Sequence, residues 1–339
     1  MMHGYNEQSY SDIGSRVPDS VFRTPRIIVI TGPTATGKTM LGAALANKLG
    51  GEVVSADSMQ VYKYMDIGTA KPAEAEKLGA AHHMIDIVMP SDDYSAARYV
   101  TDASLCVDDI LGRGKLPILV GGTGLYIDSL LLGRVFAAPG DVSLRRALET
   151  EYDEAGGEAM LRKLSETDPA GAARLHANDR KRIVRALEVY KATGKSITQH
   201  DIESQAIPPR YGAVKIALTF SDRAELYRHI DRRVDSMISL GLESEVRGLL
   251  EMGVSPGNTS MQAIGYKEIA GAILGRLSMD EAVEKIKMES RRYAKRQLTW
   301  LRRDADVKWI AWDKTPDIEA GVGIVENHIR EINVTKSLQ

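Results

Sequence analysis

The chain of 339 residues holds a single cysteine, Cys106, which excludes a disulfide framework and any cysteine-built zinc site and fits a reducing compartment. Cys106 lies in the helix-like run Ala103-Ser104-Leu105-Cys106-Val107 and reads as a small buried hydrophobe. Long apolar runs are also missing: none approaches the ~20 residues of a membrane span. Residues 1–24 are polar, rich in Ser, Tyr and Gly, and lack the apolar core of a signal peptide, so they read as a disordered extension. A cytoplasmic protein with no membrane role is expected. A strong charge of one sign is absent too. At a formal net charge of −2, the chain as a whole is not a basic nucleic-acid binder, and any such role must rest on local patches. The pair His82-His83 has no partner at metal-ligand spacing and reads as structural or channel-lining. No Ser-His-Asp or Cys-His set, internal repeat or low-complexity segment is found.

The strongest feature present is a phosphate loop. Gly32, Pro33, Thr34, Ala35, Thr36, Gly37, Lys38 and Thr39 complete the pattern G-x-x-x-x-G-K-[ST]. The β-branched run Arg26-Ile27-Ile28-Val29-Ile30 precedes it and the helix-like stretch from Met40 to Leu49 follows, the context this motif needs. Its glycines let backbone N–H groups turn inward around phosphate oxygens, and the helix N-terminus adds partial positive charge. Lys38 supplies an ammonium and the Thr39 hydroxyl can ligate Mg²⁺. A ligand with a diphosphate or longer is expected.

Strand and helix signals alternate from Arg26 to about Gly124. Strands are predicted at 26–31, 52–55, 84–88 and 116–120, with helices at 38–49, 72–79, 95–111 and from 124. This order implies an α/β fold with a parallel sheet covered by helices on both faces. Residues 130–205 look almost wholly helical and read as an insertion between two strands of the sheet. A further strand is predicted at 213–220, a helix from near Arg223, and a last strand over 307–310. The expected organisation is an extension at 1–24, a core of 25–129 and 206–315, a helical insertion at 130–205, and a C-terminal tail at 316–339.

Ligands of open α/β sheets bind outside the carboxyl ends of the strands. Asp57 lies there, one βαβ step after Gly32. A carboxylate beside a phosphate site either holds Mg²⁺ or accepts a proton from an attacking nucleophile; an Asx-turn or helix cap is the plainer reading. Gly121-Gly122-Thr123-Gly124 permits close approach to a ligand and presents one hydroxyl, although Gly-rich turns are common. Arg228, Arg232 and Arg233 stand on one predicted helix, as a diphosphate clamp or as a solvated face. The run Arg291-Arg292-Tyr293-Ala294-Lys295-Arg296-Gln297-Leu298-Thr299-Trp300-Leu301-Arg302-Arg303 interleaves basic and aromatic residues, as a nucleic-acid contact or as a charged helix face. Arg180-Lys181-Arg182 and Arg185 form a third basic group.

These residues, read together, resemble one family. The phosphate loop, Asp57-Ser58-Met59-Gln60-Val61-Tyr62, Met65-Asp66-Ile67-Gly68-Thr69-Ala70-Lys71-Pro72, His83-Met84-Ile85-Asp86 and Gly121-Gly122-Thr123-Gly124-Leu125-Tyr126 are similar, in order, to signature blocks of the tRNA dimethylallyltransferases. So are Arg182-Ile183-Val184-Arg185-Ala186-Leu187-Glu188-Val189, Ala263-Ile264-Gly265-Tyr266-Lys267-Glu268 and Lys295-Arg296-Gln297-Leu298-Thr299-Trp300-Leu301-Arg302. The resemblance spans about residues 26–312. It implies a nucleotide-kinase-like phosphate-loop fold with an inserted tRNA-binding subdomain, and a Mg²⁺-assisted transfer from dimethylallyl diphosphate to N6 of an adenosine. That adenosine lies 3′ of the anticodon in tRNAs reading codons that begin with U. The partner implied is a tRNA anticodon stem-loop, bound by a monomer without an obligate protein partner.

Under that resemblance, Asp57, Thr123 and Arg233 are the implied catalytic residues, residues 32–39 the diphosphate cradle and Thr39 the metal ligand. Asp57 would take the proton of the adenine amine, Arg233 and Lys38 would hold the departing diphosphate, and Thr34 and Thr123 would offer hydroxyls. Positions that map onto tRNA contacts are Asp57, Ser58, Met59, Gln60, Thr123, Arg145, Lys181, Arg182, Arg185, Gln262, Gly265, Tyr266, Lys267, Lys295, Arg296, Gln297, Trp300 and Arg302. The chain departs from the family in having His229 where an arginine is frequent, and no cysteine beyond Cys106 for the zinc finger of eukaryotic relatives, which favours a bacterial-type enzyme. The other readings are a small-molecule kinase using the same loop and a non-catalytic RNA-binding NTPase switch.

Overall fold

Five short apolar runs and one pair of histidines build a single parallel sheet. The computed structural model describes residues 27–136 and 142–337; the predicted extension at 1–24 lies outside them. The strands are β1 (Ile27–Thr31), β2 (Gly51–Ser55), β3 (His82–His83), β4 (Leu116–Val120), β5 (Ala213–Phe220) and β6 (Lys308–Trp312). Their order is β3-β2-β4-β1-β5-β6 and every pairing is parallel. Central strand β1 is buried along its whole length, as an apolar run covered on both faces must be. Helix α1 (Lys38–Leu49) sends Leu41 and Leu45 into the core beneath it, with Ile28, Ile30, Ile118 and Leu218.

The third strand sits two residues earlier than the sequence predicts. Met84 and Asp86 adopt φ of 63° and 57°, which no extended strand can contain. Lys71 fixes this bend by pairing with both Asp86 and Asp66 while donating to the Tyr62 carbonyl. His82 and His83 form the edge strand instead, and His83 Nε2 lies 2.7 Å from Glu52 Oε2. Glu52, 4% exposed on β2, is also met by Arg113 and Lys115. The Arg113 hydrogen bonds hold its carboxyl far below the usual range; burial opposes this, and Lys115 and His83 reinforce it.

At the other edge, β6 runs two residues beyond the predicted strand. The predicted tail contains a helix, α14 (Ile318–Ser337). Val325 is fully buried in the sheet core, with Ile318, Val322, Ile329 and Ile332 packed against it. This stripe, spaced by four and three residues, needs a helix to reach one face. Cys106, in α3 (Ala96–Gly112), is half-buried rather than buried, its Sγ 3.8 Å from Met84 Sδ.

The chain divides into two compact units. The sheet unit takes in residues up to Tyr94, Asp102–Ile127 and residues from Gly212 onward; the helical unit comprises Ser95–Thr101 and Asp128–Tyr211. Two of the four boundaries fall inside α3 and α4 (Gly124–Leu132). The helical unit contains α5 (Val142–Ala155), α6 (Gly157–Thr167), α7 (Pro169–Ala172), α8 (Arg180–Thr193) and α9 (Ile197–Gln205) around Leu148, Met160, Leu164, Ile183 and Leu187. Asp168 caps α7 by accepting from the Gly171 amide at 2.8 Å and also accepts from the Thr198 amide at 3.1 Å.

After β5 the sheet unit adds α10 (Arg223–Ser239), α11 (Leu242–Glu251), α12 (Tyr266–Ile273) and the 23-residue α13 (Met279–Leu301). Ser278 and Glu281 form a capping box that starts α13. Asp231–Arg291 at 2.5 Å and Asp235–Lys287 at 2.8 Å join α10 to α13.

Gly32 shows how tightly this unit is assembled. Its φ is 137°, and a Cβ there would fall inside van der Waals distance of the Leu218 carbonyl oxygen. Backbone of β5 cannot move aside as a side chain can. Gly32→Ala is therefore expected to destabilise the fold by on the order of 3 kcal/mol or more, read as a lowered urea midpoint.

Candidate active site

The loops following β1, β2 and β4 line a cavity of about 560 Å³ together with faces of α10 and α13. The close approach of two strand ends sets its chemistry. A Cβ on Gly121 would collide with the Ala56 backbone, so only glycine lets the β4 loop lie against the β2 loop. The Ala56 carbonyl accepts the Thr123 amide at 3.1 Å, and Thr123 Oγ1 accepts the Ser58 amide at 3.1 Å. Asp57 lies between them, with Oδ1 accepting the Met59 amide at 2.8 Å. The plain Asx-turn reading and the functional one thus coexist: one carboxylate oxygen shapes the turn, while the residue lines the cavity.

Two half-buried cations face this carboxylate. Burial pushes the Lys38 ammonium down to about 7; the Arg233 guanidinium adds to the fall and Asp57 opposes it. Burial likewise lowers Arg233, opposed by Asp57 and then Glu76. Lys38 Nζ donates to the Pro33 carbonyl at 2.6 Å. Such a pair of desolvated, mutually repelling cations is stabilised by an anion between them.

The face of α10 that meets the cavity carries Ile230, Arg233, Val234 and Met237, a helical stripe. Arg228 is exposed and paired with Glu225, and Arg232 is exposed, so neither faces the cavity. His229 stacks on Phe220 with ring centroids 4.5 Å apart, and its Nε2 lies 2.7 Å from the Lys314 carbonyl. From α13 the cavity receives Ile286, Ser290, Tyr293, Arg296 and Gln297. Tyr293 is absent from the sequence-derived site. Burial pushes its phenol up to about 12, with Asp57 adding to the rise and a hydrogen bond with Thr123 opposing it. Its spacing from Gln297, four residues on the same helix, was the available signal.

Several residues matched to tRNA contacts perform other tasks. Gln297, 6% exposed, donates to the Gly122 carbonyl at 2.9 Å and accepts the Thr34 amide at 3.3 Å, tying the two loops together. Tyr266 is fully buried and donates to Glu245 at 2.6 Å, so its ring offers no RNA-facing surface. Gly265 is buried, its amide held by Glu268 at 2.9 Å. Gln60 braces the neighbouring loop through Ser55 and the Ala70 carbonyl. In the helical unit, Arg145 and Arg185 both lie 2.9 Å from the buried Glu188. Burial raises that carboxyl, and the two arginines together outweigh it, leaving the group lowered.

Other matched positions are exposed: Lys181 and Arg182 on α8, Gln262, and Lys267. Along α13, Arg292, Lys295, Arg296, Thr299, Trp300 and Arg303 line a second, shallower concavity, while Arg302 is exposed. The Arg296 guanidinium sits 5.6 Å from the Tyr293 ring centroid. Ser58 and Met59 line the main cavity beside Asp57.

Among the described residues no group of three His, Cys, Asp or Glu side chains could hold a metal. The cavity does hold the Thr39 hydroxyl and the Asp57 carboxylate. That donor set fits Mg²⁺, which takes few protein oxygens and fills its shell from phosphate and water.

Parallel sheet, phosphate loop and cation pair define a phosphate-loop enzyme of the α/β class. The profile described as IPP transferase matches residues 60–304, and that described as isopentenyl transferase matches residues 25–87. The tRNA dimethylallyltransferase of Acetivibrio thermocellus is 49% identical over 289 residues, covering 85% of this chain and 92% of that protein. The tRNA dimethylallyltransferase of Geobacillus kaustophilus is 46% identical over 305 residues, covering 90% and 96%. The crystal structure of the tRNA isopentenylpyrophosphate transferase of Bacillus halodurans superposes with a TM-score of 0.69 at 40% identity, over 92% of this chain and 98% of that one. A eukaryotic dimethylallyltransferase acting on tRNA superposes with a TM-score of 0.77 at 30% identity, over 91% and 80%. The chain belongs to the tRNA dimethylallyltransferase family.

Proposed function

We propose that the chain transfers a dimethylallyl group from dimethylallyl diphosphate to N6 of the adenosine 3′ of the anticodon, in tRNAs whose codons begin with U. The observation that carries this reading is the pairing of Lys38 and Arg233 opposite Asp57, in a cavity whose α10 and α13 faces add Ile230, Val234, Met237 and Ile286. A diphosphate satisfies the cations and a short branched tail suits the apolar side chains.

The bond from the allylic carbon to the diphosphate oxygen breaks as the bond to N6 forms, and the N6 proton leaves to Asp57. Lys38, Arg233 and the loop amides stabilise the charge that builds on the departing diphosphate. Mg²⁺ held at Thr39 would supply further positive charge to that leaving group. Thr34 presents a hydroxyl in the cavity where amine and diphosphate meet, and Thr123, anchored to Ser58, stands on the loop beside it. The adenine must leave the anticodon-loop stack to reach Asp57. The exposed basic residues of α13 and of α8 supply phosphate contacts for the stem-loop. No helix among the described residues is long and apolar enough to cross a membrane; cytoplasmic location and a monomeric state complete the proposal.

The test is transfer of label from dimethylallyl diphosphate to an unmodified anticodon arm with Mg²⁺. Labelled N6-prenyl adenosine is expected; consumption of ATP on a small acceptor, without label in RNA, would favour a kinase instead.

The depressed Lys38 adds a pH signature. With a pKa of about 7 in the free site, Lys38 is largely neutral at pH 8, and an adjacent diphosphate draws it back to the ammonium form. Binding of pyrophosphate at pH 8 should thus take up more protons in the native protein than in Lys38→Arg, whose guanidinium is already charged. Calorimetry in two buffers of different ionisation enthalpy measures the difference.

A further inference from the structure

The phosphate loop is braced from outside by the segment that leaves the sheet. The indole Nε1 of Trp312, the last residue of β6, donates to the Thr36 carbonyl at 3.0 Å, and Trp312 is 5% exposed. Beyond it, Pro316 and Ile318 press on Gly37, standing 3.0 and 3.5 Å from where a Cβ on that residue would be. Inside the loop, Thr36 Oγ1 and Lys38 Nζ both donate to the Pro33 carbonyl, at 2.8 and 2.6 Å. The loop's own side chains therefore fix Pro33, while the Thr36–Gly37 peptide is fixed by Trp312.

That peptide is planar and trans, so its carbonyl and its N–H point in opposite directions. Holding the Thr36 carbonyl on the indole turns the Gly37 N–H away from Trp312. Thr36, Gly37 and Lys38 all line the cavity, and Trp312 does not. We propose that Trp312 is a positioning residue of the diphosphate site: its indole N–H sets the Thr36–Gly37 peptide so that the Gly37 amide donates to the diphosphate. The proposal rests on the reading that this loop holds a diphosphate. It assigns Trp312, 276 positions away in sequence, to the anion cradle. Without the indole donor the peptide can rotate, and part of the binding free energy goes to reordering it.

The experiment uses the full chain, inorganic pyrophosphate and an anticodon arm. Trp312→Phe keeps an aromatic ring and removes the N–H; incorporation of a benzothienyl side chain at position 312 keeps the indole shape and removes only the donor. Both are expected to weaken pyrophosphate about fivefold to tenfold, the worth of one lost hydrogen bond, and to raise KM for dimethylallyl diphosphate more than they lower kcat. Anticodon-arm affinity should stay unchanged, and the amide resonance of Gly37 should respond less to pyrophosphate than in the native protein. Native affinity for pyrophosphate in both variants overturns the proposal, as does an equal loss of pyrophosphate and RNA affinity, which marks a general effect on folding. Failure of the native protein to bind pyrophosphate would instead overturn the diphosphate reading itself.

Discussion

Asp57→Ala is expected to slow prenyl transfer by ~10²–10⁴-fold at saturating substrates, the usual contribution of a positioned general base. Affinity for the anticodon arm should change far less, because one side chain is lost from a contact surface supplied by many exposed basic groups. The carboxylate is well placed for this division of labour. Its Oδ1 is engaged by the Met59 amide, and Thr123 on the adjoining loop is anchored to Ser58. Asp57 also offsets the positive charge of Lys38 and Arg233. Removing it should lower the Lys38 pKa further and tighten pyrophosphate binding only at a pH low enough to keep both cations charged, well below 7. Single-turnover rates, filter binding and pyrophosphate titration separate the three effects. An unchanged rate would remove Asp57 from the proton-accepting role.

Arg233→Ala should carry the second largest loss, about 10²–10³-fold in kcat, typical of a donor aimed at charge that develops in the transition state. Pyrophosphate affinity should fall as well. The same substitution removes the guanidinium whose repulsion adds to the fall in the Lys38 pKa, so Lys38 should titrate higher and proton uptake at pH 8 should shrink. Arg228→Ala is the control: its side chain is exposed and paired with Glu225 away from the cavity, and its loss should leave the rate within about twofold. If Arg228→Ala matches Arg233→Ala, the clamp has been placed on the wrong face of α10.

Much of this arrangement was legible in the residues. The strands at 116–120 and 213–220 and the helix at 38–49 coincide with the prediction because each is a short apolar run or a periodic stretch with glycine at its end. Edges fared worse. His82–His83 is held in the sheet by Glu52, Arg113 and Lys115, and an ion cluster assembled from distant positions leaves no periodic trace. The helix at 318–337 did leave one, in the spacing of Ile318, Val322, Val325, Ile329 and Ile332, but with neighbouring glycines it reads as a tail.

Motif and strand order pointed to the phosphate loop, Asp57 and Arg233, which line the cavity, and to Thr123 on the loop beside it. Tyr293 and Gln297 were harder to place, since basic neighbours on both sides make their helix read as an RNA-facing surface. Only the packing of α13 against α10 shows that one stripe faces inward. The burial of Tyr266 and Gly265 was hidden for a related reason: a motif records which residues occur together, not which of them is spent on holding the others.

The geometry of α13 constrains how such a protein can change. Tyr293 and Gln297 face the cavity, while Lys295 and Trp300 face the outer concavity of the same rod. Residues advance by about 100° and 1.5 Å each along a helix. Exchange of Lys295 or Trp300 retunes the outer surface and leaves the reaction chamber alone, whereas Arg296 lines both. Gain or loss of a single residue within 293–300 swings the helix beyond it by more than a quarter turn. Divergence in this helix is thus open to substitution and closed to insertion, so its length is the part most resistant to drift.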